Sequence, residues 1–203
     1  MARDTGPTDR ISRRFGVALF GPSKALERRP YPPGQHGARG SRRKKSDYAV
    51  ALAEKQKLRL QYGMMEKQFR RYFAEAQRRR GITGDILVQL LETRLDNVCY
   101  RLGFGNTRRA ARQLVGHGHI RVNGRRVDIS SFNVKPGDVI SVCENSRSQQ
   151  LATRSLDLTS SRPLMDWLSF DKDKLTGSLN RLPEAEEIDT LVDVRLVVEL
   201  YSR

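Results

Sequence analysis

The residue types that most often bind metal or act as nucleophiles are few in this chain and widely spaced. The 203 residues contain three histidines and two cysteines, without the C-x₂-C pair that is typical of zinc sites. His117 and His119 are close in sequence, but no third ligand is placed beside them, and His36 lies far away along the chain. Cys99 and Cys143 do not form a disulfide framework, which favours a reducing compartment. We predict no metal, no cofactor and no disulfide partner.

Two short motifs resemble catalytic segments without the surroundings that an enzyme needs. GHGH at 116–119 is similar to a synthetase motif, but it lies between a short predicted helix and a hairpin. RLD at 94–96 is similar to the catalytic segment of pseudouridine synthases. There, Leu95 continues a helical apolar stripe, and we interpret Asp96 as an exposed helix acid or a helix-end partner for a nearby arginine. Since no G-x-S-x-G motif or Gly-rich phosphate loop is present, we predict that the protein is not an enzyme.

Positive charge is the strongest compositional signal, and it is unevenly distributed. The net charge of +15 divides into +8 over residues 1–50, +10 over 51–125 and −3 over 126–203. A strong basic bias predicts binding to a polyanion, because each neutralised phosphate releases counterions. The sequence contains no run of about 20 apolar residues and does not begin like a signal peptide, so we predict a soluble protein with no membrane partner.

The first half of the chain is predicted to be an arm followed by helices. Residues 1–45 are rich in proline, glycine and basic residues and show no sustained period, so we expect an extended arm ordered by its contacts. Helices are predicted over about 46–62, with Ser46 and Asp47 as the candidate caps, over about 64–80, and over about 84–103 with a possible break near Thr93.

Thr107 is predicted to cap a short helix whose apolar and basic faces separate at about 100° per residue. The apolar face contains Ala110, Ala111, Leu114 and Val115, and the opposite face contains Arg108, Arg109, Arg112 and Gln113.

The segment GHIRVNGRRV, residues 118–127, is predicted to form a hairpin with a like-charge pair across it. Asn123 and Gly124 suit the two positive φ angles of a type I′ turn, which places Arg121 opposite Arg126. Opposed like charges are destabilising by themselves. We therefore expect an anion to lie between the two arginines.

The remaining elements complete an α+β prediction. A strand is expected near 135–142, a polar linker over 144–155 and further strands from Trp167, whereas the closing segment LVDVRLVVELYSR could be helix or strand. The predicted fold is a mostly helical domain with an extended basic N-terminal arm, plus an inserted module of two short helices packed on a small antiparallel sheet. The domain limits are 1–45 for the arm, 46–92 with 188–203 for the helical domain, and 93–187 for the module with its core at 94–142.

Several motifs give the chain a family resemblance. RLDN, TRRAARQLV, GHIRVNG and KPGD within 94–142 closely resemble the S4 RNA-binding module, which also occurs in pseudouridine synthases, tyrosyl-tRNA synthetases and a heat-shock protein. MARDTGPTDRISRRFG, RPYPPGQHG and the ending LYSR extend the resemblance to nearly the whole chain, and they resemble the S4 family of bacterial or organellar small-subunit ribosomal proteins. Many members hold zinc in the arm with cysteines. Because Asp9 and Ser12 occupy that region here, the resemblance is to the zinc-free branch.

The resemblance implies a function and a set of partners. Members of the family bind small-subunit ribosomal RNA (rRNA) at a multi-helix junction of the 5′ domain, nucleate assembly and contribute to translational accuracy. The implied partners are 16S-type rRNA, ribosomal protein S5 and other small-subunit proteins near the mRNA entrance, and for some members their own mRNA. The implied location is the cytoplasmic or organellar ribosome. The alternatives are an RNA-modifying or stress-response protein with the same module, and a DNA-binding regulator that would lack the second half of a dimeric reader.

Basic and hydrogen-bonding side chains of the arm, of the second helix and of the module are expected to contact RNA. They are Arg3, Arg10, Arg13, Arg14, Gln35, His36, Arg42, Arg43, Lys44, Lys45, Arg70, Arg71, Arg78, Arg79, Thr107, Arg108, Arg109, Arg112, His117, His119, Arg121, Asn123 and Arg126.

Overall fold

The computed structural model describes residues 4–38, 46–188 and 190–202. It divides into two compact units, Met1–Leu87 with Asp189–Arg203, and Val88–Ile188, which we term the helical unit and the sheet unit. The α+β class is confirmed. The finer division of residues 1–92 into an arm and a helical domain stays a prediction. Within the described residues, no helix is long and apolar enough to cross a membrane.

The helical unit is built from short and medium helices. Of the two candidate caps, Ser46 caps the helix Asp47–Gln61 by accepting a hydrogen bond from the Ala49 amide at 3.3 Å. The first two helices lie in the segment that was predicted to be an extended arm, and their 8 and 5 residues are too few to show a hydrophobic period. The helices are α1 Thr8–Phe15, α2 Lys24–Arg28, α3 Asp47–Gln61, α4 Glu66–Arg78, α5 Thr83–Glu92, which continues past Leu87, and α9 Val194–Ser202.

Tertiary contacts determine that the closing segment is helical, and it forms α9. The ring of Tyr201 stacks on Phe73 of α4 with centroids 4.5 Å apart, and its hydroxyl donates a hydrogen bond to Glu66 at 2.8 Å. At the other end of α9, the Asp193 amide donates to Glu54 of α3 at 3.2 Å. An apolar run that was ambiguous by itself is therefore helical because one face packs on α3 and α4.

The sheet unit contains a five-stranded antiparallel sheet, three further α-helices and a 3-10 helix. The elements are α6 Leu95–Arg101, α7 Arg108–Gly116, β1 Ile120–Val122, β2 Arg125–Arg126, β3 Val139–Val142, α8 Ser146–Thr159, β4 Leu168–Asp171, β5 Thr176–Leu179 and the 3-10 helix Ala185–Glu187. The strand order is β2-β1-β3-β5-β4, and the predicted break near Thr93 separates α5 from α6.

The hairpin has the predicted turn and register. Asn123 and Gly124 both have positive φ, 51° and 78°, and Arg121 pairs with Arg126 across the ladder. The apolar side of β1, Ile120 and Val122, is buried in one core with the apolar face of α7. The opposite side of the hairpin is therefore left for the basic side chains.

The predicted polar linker over 144–155 is wrong, because most of it lies in α8. The side chains that α8 buries are mainly small or polar, including Ser155 and Thr159. The hydroxyl of Ser155 donates to the Gly103 carbonyl at 2.9 Å. A helix that is held by such contacts carries little hydrophobic periodicity in its sequence.

Gly105→Ala is expected to destabilise the sheet unit by about 1–3 kcal/mol, because a Cβ at this position would lie 2.5 Å from the Ala111 amide nitrogen of α7. Gly116→Ala is the matched control, since nothing lies within 4 Å of its Cβ position, and it should leave stability unchanged or raise it. Denaturation followed by the fluorescence of Trp167, the single tryptophan, compares them. Equal midpoints for the two variants would contradict the close approach.

Candidate RNA-binding surface

The amino end of α7 is built as the sequence predicts. The exposed Thr107 accepts a hydrogen bond from the Ala110 amide at 3.1 Å and so caps the helix. Ala111, Leu114 and Val115 are buried on one side. The remaining amino-terminal NH groups and the positive end of the helix dipole favour an anion at this position.

Arg108 is held at this helix end by a buried carboxylate network. Its Nε donates to Asn97 at 2.8 Å, and its guanidinium lies over the ring of Tyr100, 4.6 Å from the centroid. The amide of Asn97 donates to Glu92 at 2.7 Å. Glu92 is fully buried and accepts two hydrogen bonds from Arg101 at 3.0 and 2.9 Å. The network fixes the direction in which Arg108 leaves the helix.

Arg112 and Asp96 are both buried in the structure, and the contact of Arg112 with RNA stays a prediction. Arg112 is only 8% exposed, and its Nη1 lies 3.9 Å from the carboxylate of Asp96. Asp96 is itself buried and accepts two hydrogen bonds from Arg94 at 3.0 and 2.6 Å, so the helix-end pairing is the correct alternative. Helical angle alone placed Arg112 among the solvent-facing arginines, whereas the buried carboxylate of α6 draws it inward.

The hairpin arginines are held by protein groups rather than left facing each other. Arg121 Nη1 lies 3.0 Å from the carboxylate of Glu144, and Arg126 Nη2 donates to the His117 carbonyl at 3.3 Å. Gly118 lets Arg126 lie there, since a Cβ on this residue would fall 2.1 Å from Arg126 Nε. In the free protein, therefore, Glu144 partly takes the place of the expected anion.

Asn123 is used by the turn itself. Its amide group donates to Asp138 at 2.8 Å, and its carbonyl oxygen accepts from the Val139 amide at 2.9 Å. Its contact with RNA stays a prediction.

The two histidines of the module lie beside the hairpin. Their ring centroids are 6.1 Å apart, and His119 Nδ1 is 2.8 Å from the hydroxyl of Ser148 in α8. Burial lowers the pKa of His119, and the neighbouring His117, Arg126 and Arg147 lower it further. In the described part of the chain, no three His, Cys, Asp or Glu side chains are grouped to hold a metal ion.

The lowered pKa of His119 predicts an acid-sensitive sheet unit. The unfolded chain takes up the proton first, so the free energy of unfolding should fall as pH drops below about 6.5. His119→Asn should be less stable than the parent at neutral pH, and the difference should shrink on acidification. Denaturation series between about pH 7.5 and 5.5 would test this, with His36→Asn in the helical unit as the control. A difference that stays constant with pH would contradict it.

The described predicted residues of the helical unit lie on α1, in the segment that follows α2, and on or just after α4. Arg13 of α1 donates to the carbonyls of Arg29 and Tyr31 at 3.1 and 3.2 Å, which braces the proline-rich segment. Ser23 donates to Asp9 at 2.9 Å, so hydrogen bonds join α1 to the start of α2.

The other predicted residues of this unit fall into three groups. Arg10, Arg14, Gln35, His36, Arg70 and Arg71 are exposed. Arg78 and Arg79 pair with Glu75 at 2.9 and 3.0 Å. Arg3, Arg42, Arg43, Lys44 and Lys45 lie outside the described residues.

Three exposed arginines next to the module surface were missed by the sequence reasoning. Arg125 lies in β2, while Arg147 and Arg154 lie in α8. Arg125 belongs to the GHIRVNGRRV motif, which is its signal in the sequence. The sequence pattern predicts a linker where Arg147 and Arg154 lie, so it gives no signal for these two.

A capped helix end beside a basic hairpin has the hydrogen-bond donors and the positive charge that could receive the phosphates of a nucleic acid. Residues 93–140 match the S4 domain. The protein is therefore of the nucleic-acid-binding class that is built around that domain. Residues 3–92 match the Ribosomal protein S4/S9 N-terminal domain. The chain belongs to the uS4 family of ribosomal proteins.

Bacterial relatives match over the full length. The chain is 66% identical over 203 residues to the small ribosomal subunit protein uS4 of Akkermansia muciniphila, with all of both chains covered. It is 55% identical over 203 residues to the protein of the same name from Opitutus terrae, and 52% identical over 210 residues to that from Thermus thermophilus. Both of these comparisons also cover the whole of each chain.

Proposed function

We propose that this protein is a structural constituent of the small ribosomal subunit that binds small-subunit rRNA and carries out no catalysis. The observation that carries the proposal is the α7 helix end beside the Arg121–Arg126 pair, on a chain that matches uS4 proteins from end to end. Filter binding of the whole chain to purified rRNA over a salt series tests it. Strongly salt-dependent binding that favours this RNA over an unrelated one is expected, and equal binding to both would overturn it.

The proposed surface recognises the phosphate backbone and the shape of the RNA. A folded RNA junction brings phosphates from several strands together, and cationic side chains bind them with few base contacts. One phosphate fits the amino end of α7 beside Arg108, and another fits the hairpin at Arg121 and Arg126. Charge-assisted hydrogen bonds to phosphate are short and strong, so a phosphate at Arg121 replaces the exposed contact with Glu144.

We further propose the finer assignments that the family resemblance implies. The RNA site is a multi-helix junction of the 5′ domain, where binding nucleates assembly, and the protein contributes to translational accuracy. Ribosomal protein S5 and other proteins near the mRNA entrance are its neighbours, and its own mRNA is a further ligand. Bacterial relatives support a cytoplasmic rather than an organellar ribosome.

The alternative, an RNA-modifying or stress-response protein with the same module, is not favoured. The full-length relatives carry a ribosomal name, and matches to the two family domains together cover residues 3–140. Co-sedimentation with small subunits supports the ribosomal function, whereas a subunit-independent pool that converts RNA substrate would favour the alternative.

Glu144→Gln is expected to strengthen rRNA binding by roughly two- to fivefold, because it removes an acid that competes with phosphate for Arg121. Glu186→Gln, an exposed acid in the 3-10 helix, gives the same change of net charge elsewhere in the sheet unit. Filter binding at low salt compares the two variants. An equal gain for both would show that only net charge matters.

A further inference from the structure

A groove between α7 and α8 lies next to the phosphate-binding surface. It has a volume of about 340 Å³ and is lined by both helices and by the loop before α7. His117 and His119 line it as well, so the groove borders the basic hairpin. Its size is at the lower end of the roughly 300–1,000 Å³ that is typical of small-ligand sites.

The lining combines apolar walls with amide groups. Phe104 and Leu114 lie at its buried side, and Leu151 and Leu158 of α8, which are 44% and 66% exposed, form the outer wall. The exposed Asn106 and Gln113 contribute amides that can both donate and accept hydrogen bonds. A flat ligand with an apolar face and a hydrogen-bonding edge matches this lining.

The charge around the groove selects an anionic ligand. Among the described residues that line it, Arg154 is the charged side chain, and no acidic side chain is present. Arg147 and Arg154 are exposed and lie two turns apart on α8. The capped amino end of α7 begins beside Asn106, which places a phosphate site at the mouth of the groove.

We propose that this groove receives one unstacked nucleobase of the bound RNA. Its neighbouring phosphates lie at Arg154 and at the amino end of α7. The proposal rests on the proposed function and adds to it a contact with one base, next to the phosphate contacts. Single-stranded loops and bulges of RNA present unstacked bases that proteins bind through their faces and edges. A protein segment is the less suitable occupant, because the cationic rim and the small volume favour one planar anionic nucleotide.

Two groove-filling variants with one matched control test this. Gln113→Trp and Leu158→Trp fill the groove from opposite walls, and Gln149→Trp places the same bulk on an exposed residue of α8 that does not line it. Small-subunit rRNA is the probe. Filter binding measures affinity and its salt dependence. Base-specific chemical modification detects a base that is protected in the groove, and hydroxyl-radical cleavage detects protection of the RNA backbone.

The filling variants should bind rRNA about tenfold more weakly with an unchanged salt slope, because the lost contact is not ionic. One base should lose its protection from modification while the backbone protections persist, and Gln149→Trp should match the parent. Unchanged protection in both filling variants would overturn the proposal. Normal rRNA binding with failed incorporation into subunits would also overturn it, in favour of a protein occupant. If the parent chain itself fails to bind rRNA selectively, the proposed function fails instead.

Discussion

Glu92→Gln is expected to lower the free energy of unfolding of the sheet unit by about 3–5 kcal/mol. Glu92 is 0% exposed and is bound by Arg101 through two hydrogen bonds and by Asn97 through a third. The neutral amide has nearly the same volume, so the substitution makes no cavity. It leaves the largely buried Arg101 without its counter-charge, which is the costly way to break a buried ion pair.

Trp167 gives a local readout of this effect. It is the single tryptophan and is 1% exposed in the core of the sheet unit, so its fluorescence follows the unfolding of that unit. Glu144→Gln is the control, because Glu144 pairs with one arginine at the surface and should leave the midpoint unchanged. A parent-like midpoint for Glu92→Gln would show that the network does not hold α5, α6 and α7 together.

Arg121→Glu is expected to weaken rRNA binding by at least about 1.5 kcal/mol and to reduce the salt slope by roughly one unit. The substitution removes from β1 a cation that is proposed to bind phosphate. It also places a second carboxylate beside Glu144, which in the parent pairs with Arg121 at 3.0 Å. Both changes repel the phosphate that the hairpin is proposed to bind.

A charge-matched variant separates this effect from net charge. Arg195→Glu changes an exposed residue of α9 in the helical unit, and it should weaken binding much less. Filter binding over a salt series, together with the Trp167 unfolding midpoint as a check of folding, compares the two variants. If Arg121→Glu changes neither affinity nor slope, the hairpin is not part of the RNA site.

The hairpin was predictable from sequence because its determinants are local. An Asn-Gly pair favours the two positive φ angles that Asn123 and Gly124 adopt, and the alternation of side chains then fixes the register of Arg121 with Arg126. The Thr107 cap of α7 is local in the same sense, and its predicted hydrogen bond is present.

The missed elements depend on contacts between distant parts of the chain. Ser155 and Thr159 anchor α8 on the Gly103 carbonyl, and small polar residues of this kind give no periodic apolar signal. For α9, pattern left helix and strand open, and the stacking of Tyr201 on Phe73 accompanies the helix. Neither of these contacts can be predicted from composition alone.

The candidate surface was predictable in composition but not in detail. The basic residues of α7 and of the hairpin do lie in one unit. However, helical angle could not show that Asp96 turns Arg112 inward, or that Glu92 and Asn97 position Arg108. These contacts join α5, α6 and α7. They distinguish arginines that hold the surface in place through buried contacts from arginines that are exposed on it.

Hydroxyl-radical footprinting of the whole chain on purified small-subunit rRNA shows directly which RNA backbone the protein contacts. Protections are expected to cluster at one multi-helix junction of the 5′ domain. Arg121→Glu should remove a subset of them, which would mark the backbone that the hairpin contacts. Scattered protections would contradict the proposed RNA site, and a footprint that is the same for the parent and for Arg121→Glu would contradict the role of the hairpin.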